Sequence, residues 1–216
     1  MQEFGSQFTS FSGRVFPFDR TIHIQKIKYN PDLLTYVGID FGYRTATAAA
    51  FQIEPVPNGK DKVYLIDEVW EENIKTEDFA NKVKAFPYPI IRYFGDPAGG
   101  SIQSQSAGTD IEIFRRKGMR VDSRKDRLSR SIANGVSHMR TWFEDANGNA
   151  NFYVDPRCKK GIMSLENYRY PEKKQDQKLK EDPLKDGVYD HFCDATRYFF
   201  CNLFPIKSRT ARSIDW

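Results

Sequence analysis

Five residues of this 216-residue chain have the types and spacing needed to bind metal ions. Two apolar runs each end on an aspartate beside a glycine, and a third segment holds two aspartates and a histidine within one helical turn. Hard divalent cations prefer oxygen ligands, and a centre that cleaves phosphodiester bonds needs such ligands to converge from distant parts of the chain. The residues concerned are Asp40, Asp96, Asp190, His191 and Asp194.

The two strand-end aspartates are the first part of this pattern. Asp40 and Asp96 each follow an apolar run with β-branched residues, which predicts a buried strand. A carboxylate there is costly to desolvate unless it is paired or binds a cation. Taken alone, Asp40 would be a turn residue that accepts backbone hydrogen bonds. If the two strands are neighbours, the carboxylates repel each other, and divalent cations relieve the conflict.

The last acidic segment is predicted to start a helix, so that residues three and four apart share a face. Asp190 is expected to be the N-cap of this helix. Asp194 lies one turn further in among apolar residues, where a lone aspartate would pair with Arg197. His191 alone would be a hydrogen-bonded structural histidine. Together with the two strand aspartates, Asp194 is predicted to bind metal, and His191 to bind metal or to orient a water.

Hydrophobic periodicity predicts the elements that must position these side chains. Strands are predicted over residues 34–40, 46–53, 63–69, 90–94 and 119–121. Helices are predicted over residues 76–85, 111–117, 126–143, 159–167 and 190–204. An antiparallel meander followed by alternating helices and strands predicts an α/β protein: a ribonuclease H-like mixed β-sheet flanked by helices on both faces. The polar, lysine-rich stretch 168–188 is expected to be a protruding hairpin or loop before the last helix, and residues 151–154 to be extended.

Three regions are expected along the chain. Residues 1–34 read as an N-terminal arm or interdomain linker, because their phenylalanines follow neither a helical nor a strand period, although residues 20–29 could add an edge strand. Residues 35–205 are expected to form the ribonuclease H-like nuclease domain. Residues 206–216 are expected to form a C-terminal tail.

Composition excludes several other classes of protein. The length suits one sizeable core, no apolar run approaches membrane-spanning length, and no signal peptide is expected. Three cysteines without a CxxC spacing favour a reduced, intracellular setting. The three histidines are scattered, which argues against a Cys/His zinc site.

Positive charge is concentrated in two groups, although the net charge is only +4. The first group lies in residues 113–130, which carry eight basic residues against two aspartates, and the second runs from Lys173 to Lys180. The predicted DNA contacts are Arg124, Lys125 and Arg127 in the first group, called here the first basic block. In the second group they are Lys173, Lys174 and Lys178, called here the second basic block. Such groups suit a polyanion and predict DNA contacts, while a merely solvated charged face is the alternative for either block.

Three motifs, in this order and over residues 34–205, resemble the C-terminal nuclease domain of the large terminase subunit of tailed bacteriophages. The first is Val-Gly-Ile-Asp-Phe-Gly-Tyr at residues 37–43, followed by Thr-Ala at 47–48. The second is Gly-Asp-Pro-Ala at 95–98. The third, and the most specific, is Asp-His-Phe-Cys-Asp-Ala-Thr-Arg-Tyr at 190–198.

This resemblance implies a site and a reaction. The family's acidic metal ligands map onto Asp40, Asp96 and Asp194, with His191 as a further ligand or near-ligand. The resemblance implies two Mg²⁺ or Mn²⁺ ions, with Asp40 bridging them, Asp96 holding one and Asp194 the other. It also implies cleavage of double-stranded viral DNA during genome packaging in the host-cell cytoplasm. The sequence indicates no recognition helix, so cleavage is expected to be largely independent of DNA sequence.

The partners implied by the resemblance are the packaging ATPase domain, the portal and the small terminase subunit, with no membrane. The chain has no Gly-x-x-x-x-Gly-Lys-Ser/Thr phosphate loop, so it is expected to be an isolated domain or a fragment.

Three other functions stay open from the residues alone. A ribonuclease H-like resolvase or recombinase would share the fold. An actin-like ATPase or sugar kinase would share the Gly-Ile-Asp-Phe-Gly strand, but it needs two such domains and 216 residues leave little room for both. A non-catalytic DNA-binding module would keep the fold without its acidic residues, which are intact here.

Overall fold

A computed structural model of the chain describes residues 13–96, 109–124, 126–172 and 182–206. The strands are β1 (Thr35–Asp40), β2 (Thr45–Glu54), β3 (Lys62–Glu72), β4 (Ile90–Gly95), β5 (Val121–Asp122) and β6 (Phe152–Val154). The helices are α1 (Arg20–His23), α2 (Thr76–Lys84), α3 (Asp110–Arg116), α4 (Arg127–Arg130), α5 (Ile132–Phe143), α6 (Lys159–Asn167) and α7 (Asp190–Leu203).

Within the described residues the strands form one six-stranded mixed sheet in the order β5-β4-β1-β2-β3-β6. β1, β2 and β3 pair antiparallel, as the predicted meander requires. β4 pairs parallel with β1, β5 parallel with β4, and β6 parallel with β3. One face packs against α5, α6 and α7, and the other against α2 and α3. The predicted ribonuclease H-like sheet with helices on both faces is therefore confirmed.

β1 lies at the centre of this sheet, and all six of its residues are buried. It reads as a continuous apolar run because both of its faces are covered by helices. Gly38 allows α7 to lie directly on this strand: an added Cβ would stand 2.2 Å from the carbonyl oxygen of Ala195. This close approach brings the first turns of α7 over the end of β1, where Asp40 lies.

Two predicted elements differ in detail from the observed ones. The helix predicted over 126–143 is interrupted at Ser131, whose backbone is extended and whose side chain accepts a hydrogen bond from the Asn134 amide. Serine competes in this way with helix continuation and begins a new helix instead. The edge strand that residues 20–29 could form is not observed at its start, where residues 20–23 form helix α1 instead. Asp19 caps this helix, because its carboxylate accepts a hydrogen bond from the Thr21 amide.

The described part of the expected N-terminal arm packs on the domain. Val15, Phe16 and Phe18 are buried in the same hydrophobic cluster as α5 and α7. Phe16 stacks on Phe143 with ring centroids 4.9 Å apart. Phe4, Phe8 and Phe11 of the same arm lie outside the described residues. The domain boundaries at residues 34 and 205 stay predictions.

The remaining predictions concern the lysine-rich stretch and membranes. Residues 173–181, the centre of the predicted hairpin or loop, lie outside the described residues, as does most of the predicted tail. None of the helices in the described ranges has the length and apolar character needed to cross a membrane.

Candidate metal centre

The two strand-end aspartates lie side by side. β1 and β4 are parallel neighbours whose last paired residues are Ile39 and Gly95. Asp40 and Asp96 are the next residues along each strand, at the same edge of the sheet. Asp40 is buried, whereas Asp96 is partly exposed. The topology therefore brings together two carboxylates that lie 56 positions apart in the sequence.

Asp40 is held by a histidine from the last helix. The Nδ1 atom of His191 lies 2.8 Å from Oδ2 of Asp40. Burial raises the pKa of the Asp40 carboxyl to about 6, with the charge of Asp194 acting in the same direction and the His191 hydrogen bond opposing it. The hydrogen bond to Asp40 in turn raises the pKa of His191. The Thr47 hydroxyl on β2 donates to the His191 carbonyl oxygen at 3.1 Å and fixes this part of α7.

Asp194 faces the same edge from α7 and contacts two cationic side chains. Arg197 donates to its Oδ1 atom from Nη2 at 2.9 Å and from Nε at 3.1 Å. The ammonium of Lys185 contacts its other oxygen, Oδ2. The pairing with Arg197 that the sequence alone suggested does occur, and it leaves one carboxylate oxygen turned towards the site.

Asp190 does not cap the last helix, so that prediction is wrong. The N-cap residue of α7 is Tyr189, which makes no side-chain cap, and Asp190 is the first helical residue. The Oδ1 atom of Asp186 accepts instead from the amides of Val188 and Tyr189, both at 2.8 Å, and shapes the turn. The physical reason is that the Asp186 carboxylate already accepts hydrogen bonds from the backbone amides just before the helix. The Asp190 side chain is therefore not needed as a cap, and it is buried instead.

The buried Asp190 carboxylate is incompletely satisfied. Its Oδ1 atom has no hydrogen-bond partner in the part of the chain that the structure describes. Burial raises the pKa of Asp190, the charges of His191 and Lys185 oppose that rise, and a hydrogen bond with the Asp186 carboxyl adds to it. An unpartnered buried carboxylate oxygen costs free energy that a bound cation would recover.

Tyr198, on the next turn of α7, shows that the acidic groups converge. Burial is the main cause of its raised pKa, and the negative charges of Asp40, Asp194 and Asp96 all add to it. Hence one phenol lies within electrostatic reach of the three acidic side chains that are predicted to bind metal.

The donor set fits a hard divalent cation, because it combines several carboxylates with one imidazole and contains an orphaned oxygen. Among the described residues, no three His, Cys, Asp or Glu side chains are already arranged to hold a metal ion. Both oxygens of Asp194 instead contact cations of the chain itself.

Lys185 is the residue of this site that sequence reasoning missed. It belongs to the lysine-rich stretch before α7, but nothing in its spacing from Asp190 or Asp194 distinguishes it from neighbouring lysines. Only the path of the turn at Asp186 brings it over the acidic edge, which is the end of the sheet where Asp40, Asp96, Asp190 and Asp194 lie.

Most residues of the two basic blocks lie outside the described ranges. These are Lys125 of the first block and Lys173, Lys174 and Lys178 of the second. Arg124 forms an ion pair with Asp126, Nε to Oδ2 at 2.9 Å, whereas Arg127 is exposed at the start of α4. Neither arginine is among the side chains that contact the acidic edge in the hydrogen bonds and ion pairs described above.

Comparisons with known proteins bear on this geometry. No protein-family model matches the chain. The large terminase subunit of Escherichia phage T5 is 24% identical over 207 residues, which cover 91% of this chain and 43% of that protein. The chain thus spans less than half the length of this relative.

Solved structures match the fold more completely. The nuclease domain of the P22 large terminase superposes with a TM-score of 0.66 over 88% of this chain and 91% of that domain, at 17% identity. The fold is that of terminase nuclease domains. The nuclease domain of the SPP1 large terminase, solved with bound manganese, matches with a TM-score of 0.59 over 84% and 96% of the two chains, at 17% identity.

The resemblance to terminase nuclease domains that the three motifs indicated is therefore confirmed, together with the ribonuclease H-like fold. Similar nuclease domains bind divalent metal ions, as the manganese in the SPP1 structure demonstrates for that protein.

Proposed function

We propose that this chain is the nuclease domain of a phage terminase large subunit, a two-metal endonuclease that cuts double-stranded viral DNA during genome packaging. The observation that carries the proposal is the meeting of Asp40 and Asp96, at adjacent parallel strand ends, with His191 and Asp194 of α7. The acidic edge lies at the carboxyl ends of β1 and β4, where a mixed sheet leaves room for a substrate.

The proposed metal ligands keep the roles that the resemblance implies. Asp40 would be shared between two Mg²⁺ or Mn²⁺ ions, Asp96 would hold one, and Asp194 the other, with His191 as a further ligand or near-ligand. When bound, such ions activate a water and stabilise the leaving 3′-oxygen of a phosphodiester.

The rest of the chain orients these groups. His191 fixes the rotamer of Asp40 through its 2.8 Å hydrogen bond, and Thr47 fixes the backbone of His191. Arg197 holds one oxygen of Asp194, so that the other faces the site. Side chains locked by such partners keep metal ligands in place before the metal binds.

The proposed substrate is the DNA backbone, contacted by the first basic block (Arg124, Lys125, Arg127) and the second basic block (Lys173, Lys174, Lys178). Phosphate contacts give affinity without sequence readout. In the assembled machine the partners would be the packaging ATPase domain, the portal and the small terminase subunit, in the host-cell cytoplasm.

Nicking of supercoiled plasmid tests the proposal. We expect EDTA-treated protein to convert plasmid to open circles and then linear DNA only after Mn²⁺ or Mg²⁺ is added, and not to hydrolyse ATP. Preferential cleavage of a four-way junction over plasmid would favour the resolvase alternative, and ATP hydrolysis without nicking would favour an ATPase. Absence of cleavage with either metal, in folded protein, would contradict the proposal.

A further inference from the structure

Lys185 lies where a cation is needed. Its Nζ atom contacts Oδ2 of Asp194 and lies 3.8 Å from Oδ2 of Asp190. The charge of Asp40 acts on it as well. The Lys185 ammonium thus contacts Asp194, lies near Asp190 and is within electrostatic reach of Asp40.

The backbone on both sides of Lys185 is anchored. The amide of Leu184 donates to the Arg169 carbonyl oxygen at 2.8 Å. On the other side, the Asp186 carboxylate accepts from two amides in the turn that leads into α7. The lysine is therefore delivered to the site by a defined turn.

Lys185 differs from Arg197, the other cation on Asp194. The Arg197 side chain is only 4% exposed, and it pairs with Asp194 within the same helix. The side chain of Lys185 is 47% exposed and reaches the site on a flexible four-carbon stem. Of these two cations, Lys185 can move into solvent while Arg197 cannot, and Lys185 covers the oxygen that faces the site.

We propose that Lys185 is a built-in counterion: it neutralises the Asp190–Asp194 side of the acidic edge in the metal-free protein and must leave before a metal ion binds there. This inference rests on the proposed metal site. A divalent metal ion would therefore bind beside Asp190 and Asp194 only after the Lys185 ammonium has moved away from these carboxylates. Metal affinity is thereby set partly by a residue that is not a ligand.

Manganese binding to EDTA-stripped protein tests the inference. Binding is measured by titration calorimetry and by the loss of the free Mn²⁺ paramagnetic resonance signal. We expect Lys185→Met to bind Mn²⁺ about twofold to fivefold more tightly than wild type, the range for removing one competing ion pair whose lysine is half exposed. Lys185→Arg keeps the charge and is expected to bind Mn²⁺ like wild type.

Lys62→Met is the matched control. Lys62 also pairs with a carboxylate, Glu54 at 3.9 Å, and its side chain is 43% exposed, but it lies at the far end of β3. It should leave Mn²⁺ affinity unchanged. Without metal, Lys185→Met should melt at a lower temperature than wild type, and added Mn²⁺ should raise its melting temperature more.

The outcomes separate the two proposals. Equal Mn²⁺ affinity in wild type and Lys185→Met would overturn the counterion role and leave the metal site standing. Weaker binding in Lys185→Met would also overturn it, whatever the affinity of Lys185→Arg, since Lys185 would then support the metal ligands instead of competing with the metal. If neither wild type nor any variant binds Mn²⁺, the metal site itself fails, and the counterion role with it.

Discussion

At the scale of single residues, Asp40 has the most unusual environment of the candidate site. It is buried, hydrogen-bonded to His191, and close enough to Asp194 for the two charges to oppose each other. The fold tolerates an ionised carboxylate there only because compensating groups surround it, since an uncompensated buried charge is costly. A buried carboxylate whose pKa is shifted by burial and by a nearby like charge is typical of a functional site.

The first prediction is that Asp40→Asn loses metal-dependent cleavage by at least about 100-fold while the fold survives, because a neutral amide is a poor ligand for a hard cation. Asp96→Asn should behave alike. Plasmid nicking with Mn²⁺ and a circular dichroism melt measure both effects. Asp78→Asn, an exposed change on α2, is the control and should cleave normally. Near-wild-type cleavage by folded Asp40→Asn would remove this residue from the mechanism.

The second prediction concerns pH. The pKa of Asp40 is about 6 in the folded protein, above its ordinary value of 3.8. The folded state therefore holds this proton more tightly, and the stability that it contributes is lost as pH rises through about 6. The raised pKa of His191 acts in the same direction.

Metal-free wild type should accordingly lose about 1 kcal/mol of stability relative to Asp40→Asn as pH rises from about 5 to about 7. Melts in EDTA across this range measure the difference. A gap that stays constant with pH would mean that Asp40 titrates normally.

At the scale of elements, the site depends on how closely α7 lies on β1. Gly38 leaves no side chain between the strand and the Ala195 carbonyl, and Thr47 adds a hydrogen bond from β2 to the same helix. The strand supplies Asp40, and the helix supplies its hydrogen-bonding partner and Asp194. A small change in helix position would therefore separate ligands that belong to different elements.

The third prediction is that Gly38→Ala weakens Mn²⁺ binding and cleavage, besides costing about 1–3 kcal/mol of stability, because its Cβ would force α7 away from β1. Gly118→Ala is the control. At a φ of +85° it should cost about 1 kcal/mol through backbone strain, far from the acidic edge and with open space around it. If both variants lost stability and kept normal Mn²⁺ affinity, helix position would not control the site.

At the scale of the whole molecule, a modest net charge of +4 conceals an uneven distribution. The acidic edge needs cations, whereas the two basic blocks suit the phosphates of a duplex. In the first block, Arg124 already pairs with Asp126, and Arg127 is exposed. The second block precedes α7 in sequence, so it is the better candidate for contacts with DNA over the site.

The fourth prediction is that replacing Lys173, Lys174 and Lys178 by glutamine weakens binding to unrelated duplexes equally. It should also flatten the slope of log affinity against log salt by roughly one unit per lost phosphate contact. Arg127→Gln is the single-site comparison and should change the slope less. Fluorescence anisotropy across a salt series measures both, and an unchanged slope in the triple variant would take this block out of the DNA path.

Local signals in the sequence were enough to predict the fold class, and they also singled out the candidate site residues Asp40, Asp96, His191 and Asp194, whose metal-binding role stays a prediction. Hydrophobic periodicity and turn residues are local signals, and they were sufficient to predict the meander, the strand that ends at Asp40 and the helix that carries Asp194. The motifs then indicated which family of nuclease domains the chain resembles.

The contacts of each acidic group depend on how the chain packs. Asp190 loses its expected capping role because Asp186 already satisfies the turn, and Lys185 enters the site because that turn points it there. The pairing of His191 with Asp40 joins residues 151 positions apart. The physical reason is that secondary structure follows from neighbours in sequence, whereas the charge and hydrogen bonding of a site depend on side chains that only chain packing brings together.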